Sequence, residues 1–361
     1  MNKSITQGRI YNVSASPHLH DKSNVKSVMW NVVLALMPAL IVAIYYFGIR
    51  ALTLTIYGVL AAVITEAVIL YLRKKPIVVN DGSAVLTGML ISFNIHAAVP
   101  WWIPVVGSIF AIAIGKHAFG GLGNNLLNPA LLGRAFLVAS WPTYMTGGWI
   151  ASKLNSINGI QASGTQFFSE QITSATPLAV AKTLRNPVFL ESLGENGTTI
   201  ANDIFQHLTD FPSLMNSFIG NIGGCIGEVS ALALLIGALY LLIKHIIEWR
   251  IPFFYLATVF VLTYIFGGLN GQFPASLNVP VFHLLSGGLM LGAFFMATDM
   301  VTSPVTKKGR ILFAIGCGIF TVVIRLVGGY PEGVSYSILI MNLFVPLIDR
   351  FTIPKAFGEV K

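Results

Sequence analysis

A succession of apolar stretches, each close to the length of a bilayer core and separated by short polar connectors, most constrains what this chain can become. A helix crosses the hydrocarbon core with about 20 mostly apolar residues. Candidates lie at 25–48, 51–72, 83–99, 101–118, 127–142, 222–243, 251–268, 278–298, 311–329 and 332–349. In lipid a spanning segment must satisfy its own backbone, which favours helices. The expected fold class is an all-α polytopic membrane protein with about ten transmembrane helices. Composition agrees: 55% of the 361 residues are hydrophobic and 10% charged, and the mean hydropathy is +0.75, far from soluble domains. The net charge of +8 reads as Lys and Arg gathered in loops on one side of a membrane, with no case for nucleic acid as a partner.

Several stretches are short or interrupted by Gly and Pro, as in NNLLNPALLGRAF around Pro129 and GNIGGCIGEVS around Gly224. Such breaks predict half-helices lining a site, as in transporters. With the N-terminus inside, most Lys and Arg fall in inner connections, Lys116 and Arg134 counted among them, while Arg50, Lys153, Lys182 and Arg185 remain outside. The reading has a cytoplasmic segment 1–24, a first five-helix repeat 25–142, an extracytoplasmic insert 143–215, a second repeat 216–349 and a cytoplasmic tail 350–361. The polar start is too long for a cleaved signal peptide, so the first span is expected to stay in the protein. LTGMLISF (86–93) and SIFAIAIGKHAFGG (108–121) are weakly echoed by SGGLMLGAFF (286–295) and GIFTVVIRLVGG (318–329), which predicts inverted repeats.

Within the insert, EQITSATPLA (170–179) places an acid, Glu170, ahead of Thr173, Ser174 and Ala175, and then the hydroxyl of Thr176. Pro177 biases Thr176 toward an extended conformation, expected to present its side chain. The stretch resembles the flavin-transferase acceptor motif acid-x-x-(Ser/Thr)-Gly-Ala-(Thr/Ser), with Glu170 for the commoner aspartate and Ser174 for the commoner glycine. The chain is also similar to the RnfD family, membrane components of the Rnf complex, an ion-translocating ferredoxin:NAD oxidoreductase. The homologous NqrB component of the sodium-translocating NADH:quinone oxidoreductase is a close relative of that family. The resemblance is carried by SPH (16–18), GGLGNNLLNPALLGRAF (120–136), SATPLA (174–179), GEVSALA (227–233), SGGLMLGAFFMATDMVTSPVT (286–306) and YPEGVSYSILIMN (330–342).

The resemblance implies FMN held covalently by Thr176 through a phosphoester, attached outside the cytoplasmic membrane of a prokaryote by a flavin transferase. It also implies a riboflavin held without a covalent bond by Asn125 and Asn128, which the spacing would place on one helical face. Interhelical hydrogen bonding is the rival role for these amides. Implied partners are the other Rnf components RnfA, RnfB, RnfC, RnfE and RnfG, with ferredoxin and NAD reached through them, and the lipid bilayer. The alternatives are the quinone-reductase component and a channel or transporter of the same fold.

Glu66, Glu228 and Asp299 are ionisable residues in or beside apolar segments and are candidates for an ion pathway, as is Arg325 for a charge partner. A structural pair, for example of Glu with Arg or Lys116, is the alternative for the carboxylates, and a helix-end role for Asp299. Cys225 and Cys317 stand alone in apolar segments and the histidines lack ligand spacing, so no metal site is assigned. GGLGNN lacks the third glycine and the preceding strand of a dinucleotide fingerprint.

Overall fold

The computed structural model describes residues 24–147, 176–192, 197–269, 276–329 and 332–353. Among these the chain is helical, and the one bridge between extended segments pairs His96 with Cys225. The first half holds α1 (Val25–Phe47), α2 (Ile49–Leu72), α3 (Ser83–Phe93), α4 (Trp102–Phe110, continued by a π-helical turn Ala111–His117), α5 (Pro129–Ser140) and the short α6 (Pro142–Thr146). Four helices follow in the insert: α7 (Pro177–Thr183), α8 (Pro187–Ser192), α9 (Gly197–Thr209) and α10 (Phe211–Ile219). The second half holds α11 (Ala231–Ile243), α12 (Arg250–Phe266), α13 (Asn278–Leu285), α14 (Leu289–Leu291, continued by a π-helical turn Gly292–Met296), α15 (Lys307–Leu326) and α16 (Val334–Thr352).

Local chemistry sets the boundaries. Asn24 Oδ1 accepts from Ser27 N at 2.7 Å to start α1. Gly48, at φ +77°, takes the left-handed turn that separates α1 from α2. At α5 Asn128 caps and Pro129 occupies the first turn, where its missing N–H costs nothing. Among the described residues four helices are long and apolar enough to span a membrane: α1, α2, α15 and α16. A fifth span is formed if α13 and α14 count as one, bent by 68° at the Ser286-Gly287-Gly288 break. The apolar elements α3, α4, α5, α11 and α12 are shorter; of these α5 starts at Pro129 and α11 follows the break around Gly224. The two π-helical turns fall on α4 and α14, which are not partners in the alignment suggested by the sequence echo.

Packing follows the small residues. α2 crosses α3 where a Cβ on Gly88 would lie 2.6 Å from Gly58 O, so two glycines bring backbones into contact. α11 runs against α1, α12 against α15, and α15 against α16. Large apolar side chains such as Ile41, Ile64, Leu239 and Val323 remain exposed on the outside of the bundle, as a lipid-facing surface requires. α7, α9, α10 and α13 share a separate small core of Leu178, Ala181, Leu184, Ala201, Phe205, Leu214 and Phe282. Lys182 and Arg185 tie this insert down by donating to Gly328 O and Gly267 O.

Candidate functional site

Two cavities enter the bundle from opposite ends, and α5 lines both. The first opens beside the N-terminal end of α1 and is bordered by Val28, Lys116, Asn125, Asn128, Ala130 and Asp299. The second opens beside the insert and is bordered by Arg134, Val138, Met145, Thr176, Glu332 and Tyr336. The insert meets the other end of α1, since a Cβ on Gly220 would touch the ring of Tyr46. Ala130 and Arg134 are one helical turn apart, or about 6 Å of rise, so a single turn of α5 separates the two linings.

Thr176 caps α7. Its φ and ψ of −63° and 148° are the extended geometry that Pro177 demands, and Oγ1 accepts from Ala179 N at 3.2 Å. The side chain is only 8% exposed, so the open presentation expected from the sequence is not found. It lies against the cavity because Leu178 and Ala181 on the next turn are anchored in the insert core. The cap uses Oγ1 as an acceptor, which leaves the hydroxyl proton replaceable without loss of the capping oxygen. Thr173, Ser174 and Ala175, with Glu170, lie outside the described residues.

Asn125 and Asn128 both line the first cavity, but not as neighbours on a helix: residues 124–128 are irregular and α5 begins only after Asn128. Pro129 at the first helical position displaces the helix start to this point. Asn128 is fully engaged, its Oδ1 accepting from Ala130 N (3.0 Å) and its Nδ2 donating to Met296 O (3.2 Å). Asn125 is 8% exposed, and its Oδ1 has no partner among the described residues. A buried acceptor facing a cavity fits a ligand that offers an N–H donor.

Lys116 and Arg134, counted above as loop charges, are buried in the bundle at 1% and 8% exposure. Lys116 Nζ donates to Glu66 Oε1 at 2.5 Å and to Ser83 Oγ at 2.6 Å, the structural pairing that was one of the two readings of Glu66. Arg134 donates through Nη2 to Glu332 and through Nη1 to Asn94 Oδ1 (2.7 Å) and Ser335 Oγ (3.0 Å). Its Nη1 is also 3.9 Å from Glu228 Oε1. Glu228 lies in the irregular segment 221–230 between α10 and α11, where Gly227 N donates to Phe93 O at 2.9 Å. Asp299 sits at the rim of the first cavity and accepts from Thr302 Oγ1 at 3.0 Å, at the end of the α14 segment. Arg325 fixes the break between α13 and α14, donating to His283 O and Ser286 O at 2.5 and 3.0 Å and to Glu332 O at 3.0 Å.

Sequence reasoning missed Arg134, Glu332, Asn94 and Tyr336 as site residues. Arg134 and Glu332 stand within NPALLGRAF and YPEGVS, two of the segments that carried the resemblance, so position inside those segments was the available signal.

Apolar helices of membrane-spanning length and broken helices in an all-α bundle define a polytopic membrane protein. The chain belongs to the NQR2, RnfD, RnfE family, whose model matches residues 12–358. It is 50% identical over 353 residues to the D component of the Na(+)-translocating ferredoxin:NAD(+) oxidoreductase complex of Acetobacterium woodii, covering 97% of this chain and 96% of that protein. It is 46% identical to the D component of the proton-translocating ferredoxin:NAD(+) oxidoreductase complex of Clostridium ljungdahlii, covering 97% and 96%. It is 40% identical to the D component of the ion-translocating oxidoreductase complex of Stutzerimonas stutzeri, covering 94% and 93%.

Proposed function

We propose that this chain is the membrane flavoprotein component of a redox-driven ion pump of the Rnf type, working with RnfA, RnfB, RnfC, RnfE and RnfG between ferredoxin and NAD. FMN is esterified through its phosphate to Thr176, and a riboflavin occupies the cavity of Asn125 and Asn128. Bound flavin supplies an acceptor and donor of one or two electrons; the protein supplies position and electrostatics. The observation that carries the reading is the placement of Thr176 at the border of a cavity walled by Arg134 and Tyr336. For the riboflavin, support comes from the unpartnered Asn125 Oδ1 facing the other cavity. Asn128 contributes there by holding the start of α5, rather than through a spare amide.

The positive charge of the connections argues for Thr176 on the outer face of the cytoplasmic membrane with both termini inside. A covalent link there keeps the flavin from being lost to the medium. The two relatives of 50% and 46% identity carry Na+ and proton translocation in their names. Either ion is therefore assigned to this chain only by transport measurement.

The test is intact-mass analysis of the denatured chain expressed with and without a flavin transferase, beside Thr176→Ala. An FMN-sized adduct on the wild type, dependent on the transferase and absent from the variant, supports the reading. An unmodified wild type under both conditions removes the covalent flavin and brings forward the channel or transporter alternative.

A further inference from the structure

Beside the cavity that Thr176 borders, two carboxylates share one guanidinium. Arg134 and Glu332 both line the cavity and meet each other there, and Arg134 also approaches Glu228, which does not line it. The two acids are not equivalent. The Glu332 side chain is 14% exposed and lines the cavity, whereas the Glu228 side chain is 3% exposed and its Oε1 has no hydrogen-bond partner among the described residues. Glu228 is faced by Arg134 from α5 and by Arg325 from α15, and also by the Cys225 thiol and Glu332; a Cys225, a Glu228 and a Glu332 ligand atom lie within 4.8 Å of one another. On the side of the α13–α14 break, a Cβ on Gly288 would lie 2.7 Å from Glu228 Oε1, so glycine leaves that oxygen approachable.

We propose that Arg134 is a charge-sharing residue. It compensates either the carboxylates beside it or a negative group in the cavity, and its turning away from Glu228 obliges Glu228 to take up a proton or a small metal cation. The proposal rests on the reading of Thr176 as the FMN carrier. When two electrons and one proton enter an oxidised flavin, the ring gains one net negative charge. Arg134 meets that charge by loosening its hold on the acids. Glu332 recovers solvation at the cavity wall; Glu228, with a weak thiol donor beside it, does not. Uptake at Glu228 restores the balance, which ties cation occupancy deep in the bundle to charge in the cavity.

The test is a dithionite titration of the full chain in detergent, loaded with FMN by a transferase, following the flavin absorbance that Thr176→Ala lacks. It is run across pH at fixed Na+ and across Na+ at fixed pH. The adduct mass is checked first, so an unloaded chain counts against the Thr176 reading and not against this one. For the loaded wild type, a tenfold rise in the coupled cation raises the reduced-to-oxidised ratio about tenfold beyond the flavin's own proton dependence. Glu228→Gln loses that extra dependence with the adduct intact, and Glu332→Gln keeps it. Arg134→Gln makes reduction less favourable by about tenfold or more, and Arg134→Lys restores part of it. Extra cation dependence that survives Glu228→Gln, or a reduction equilibrium indifferent to Arg134→Gln, overturns the proposal.

Discussion

Two buried ionic clusters among the described residues are built on opposite plans. Beside the first cavity one ammonium, Lys116, meets one carboxylate, Glu66, at 2.5 Å and is completed by Ser83. Beside the second, Arg134 is divided among Glu332, Asn94 and Ser335, with Glu228 held 3.9 Å away. The first is a tight pair, with His117 Nε2 3.7 Å from Glu66 Oε1 and Glu66 Oε2 without a hydrogen-bond partner among the described residues, and its disruption leaves a charge stranded. The second is shared, and a shared cation can be redistributed. The lesson is that buried charge in one membrane protein can serve structure at one end and responsiveness at the other.

The largest effect should come from opening the tight pair. Lys116→Met leaves Glu66 buried without its cation, and the thermal midpoint of the purified chain should fall by the equivalent of about 3–5 kcal/mol. The double variant Lys116→Met/Glu66→Leu should recover most of that loss. A single variant as stable as wild type would mean the first cluster is as adaptable as the second.

Crowding the shared cluster should cost less. Gly288→Ala drives a methyl toward Glu228 Oε1 at 2.7 Å, and the neighbours must shift, for about 1–3 kcal/mol. The same variant should weaken any cation dependence of the flavin, which the thermal shift alone would not reveal.

Between these clusters lie the two asparagines, and they separate structure from binding at the scale of single hydrogen bonds. Asn128→Ala removes the α5 cap and should destabilise by about 1 kcal/mol. Asn125→Ala removes a buried acceptor that has no partner, so stability should hold or rise slightly while releasable flavin is lost. Thermal melts and flavin content on the same samples check both. Equal behaviour of the two variants would erase the distinction drawn from their hydrogen bonds.

Much of this was legible in the sequence for a physical reason. Apolar runs of bilayer length specify helices with little help from their surroundings, and Pro129 and the glycines around Gly224 announce where helices must stop. Thr176 was singled out because its motif is contiguous, and the structure places it at the border of a cavity. What was not legible depends on which side of a helix faces inward. Lys116 and Arg134 read as loop charges, because a cation near the end of a short apolar segment looks alike whether it points to water or into the bundle. Their burial is decided by Glu66 and Ser83, which lie 50 and 33 residues away, and by Glu332, 198 residues away. The π-helical turns at Ala111–His117 and Gly292–Met296 likewise answer to packing rather than to local composition.

The most direct measurement of the central claim is the flavin stoichiometry of the native chain before and after acid precipitation. The account predicts that one flavin stays with the precipitated chain, vanishes in Thr176→Ala and has the mass of FMN, while a second is released to the supernatant and vanishes in Asn125→Ala. Release of all flavin from the wild type, or retention that ignores Thr176→Ala, would contradict it.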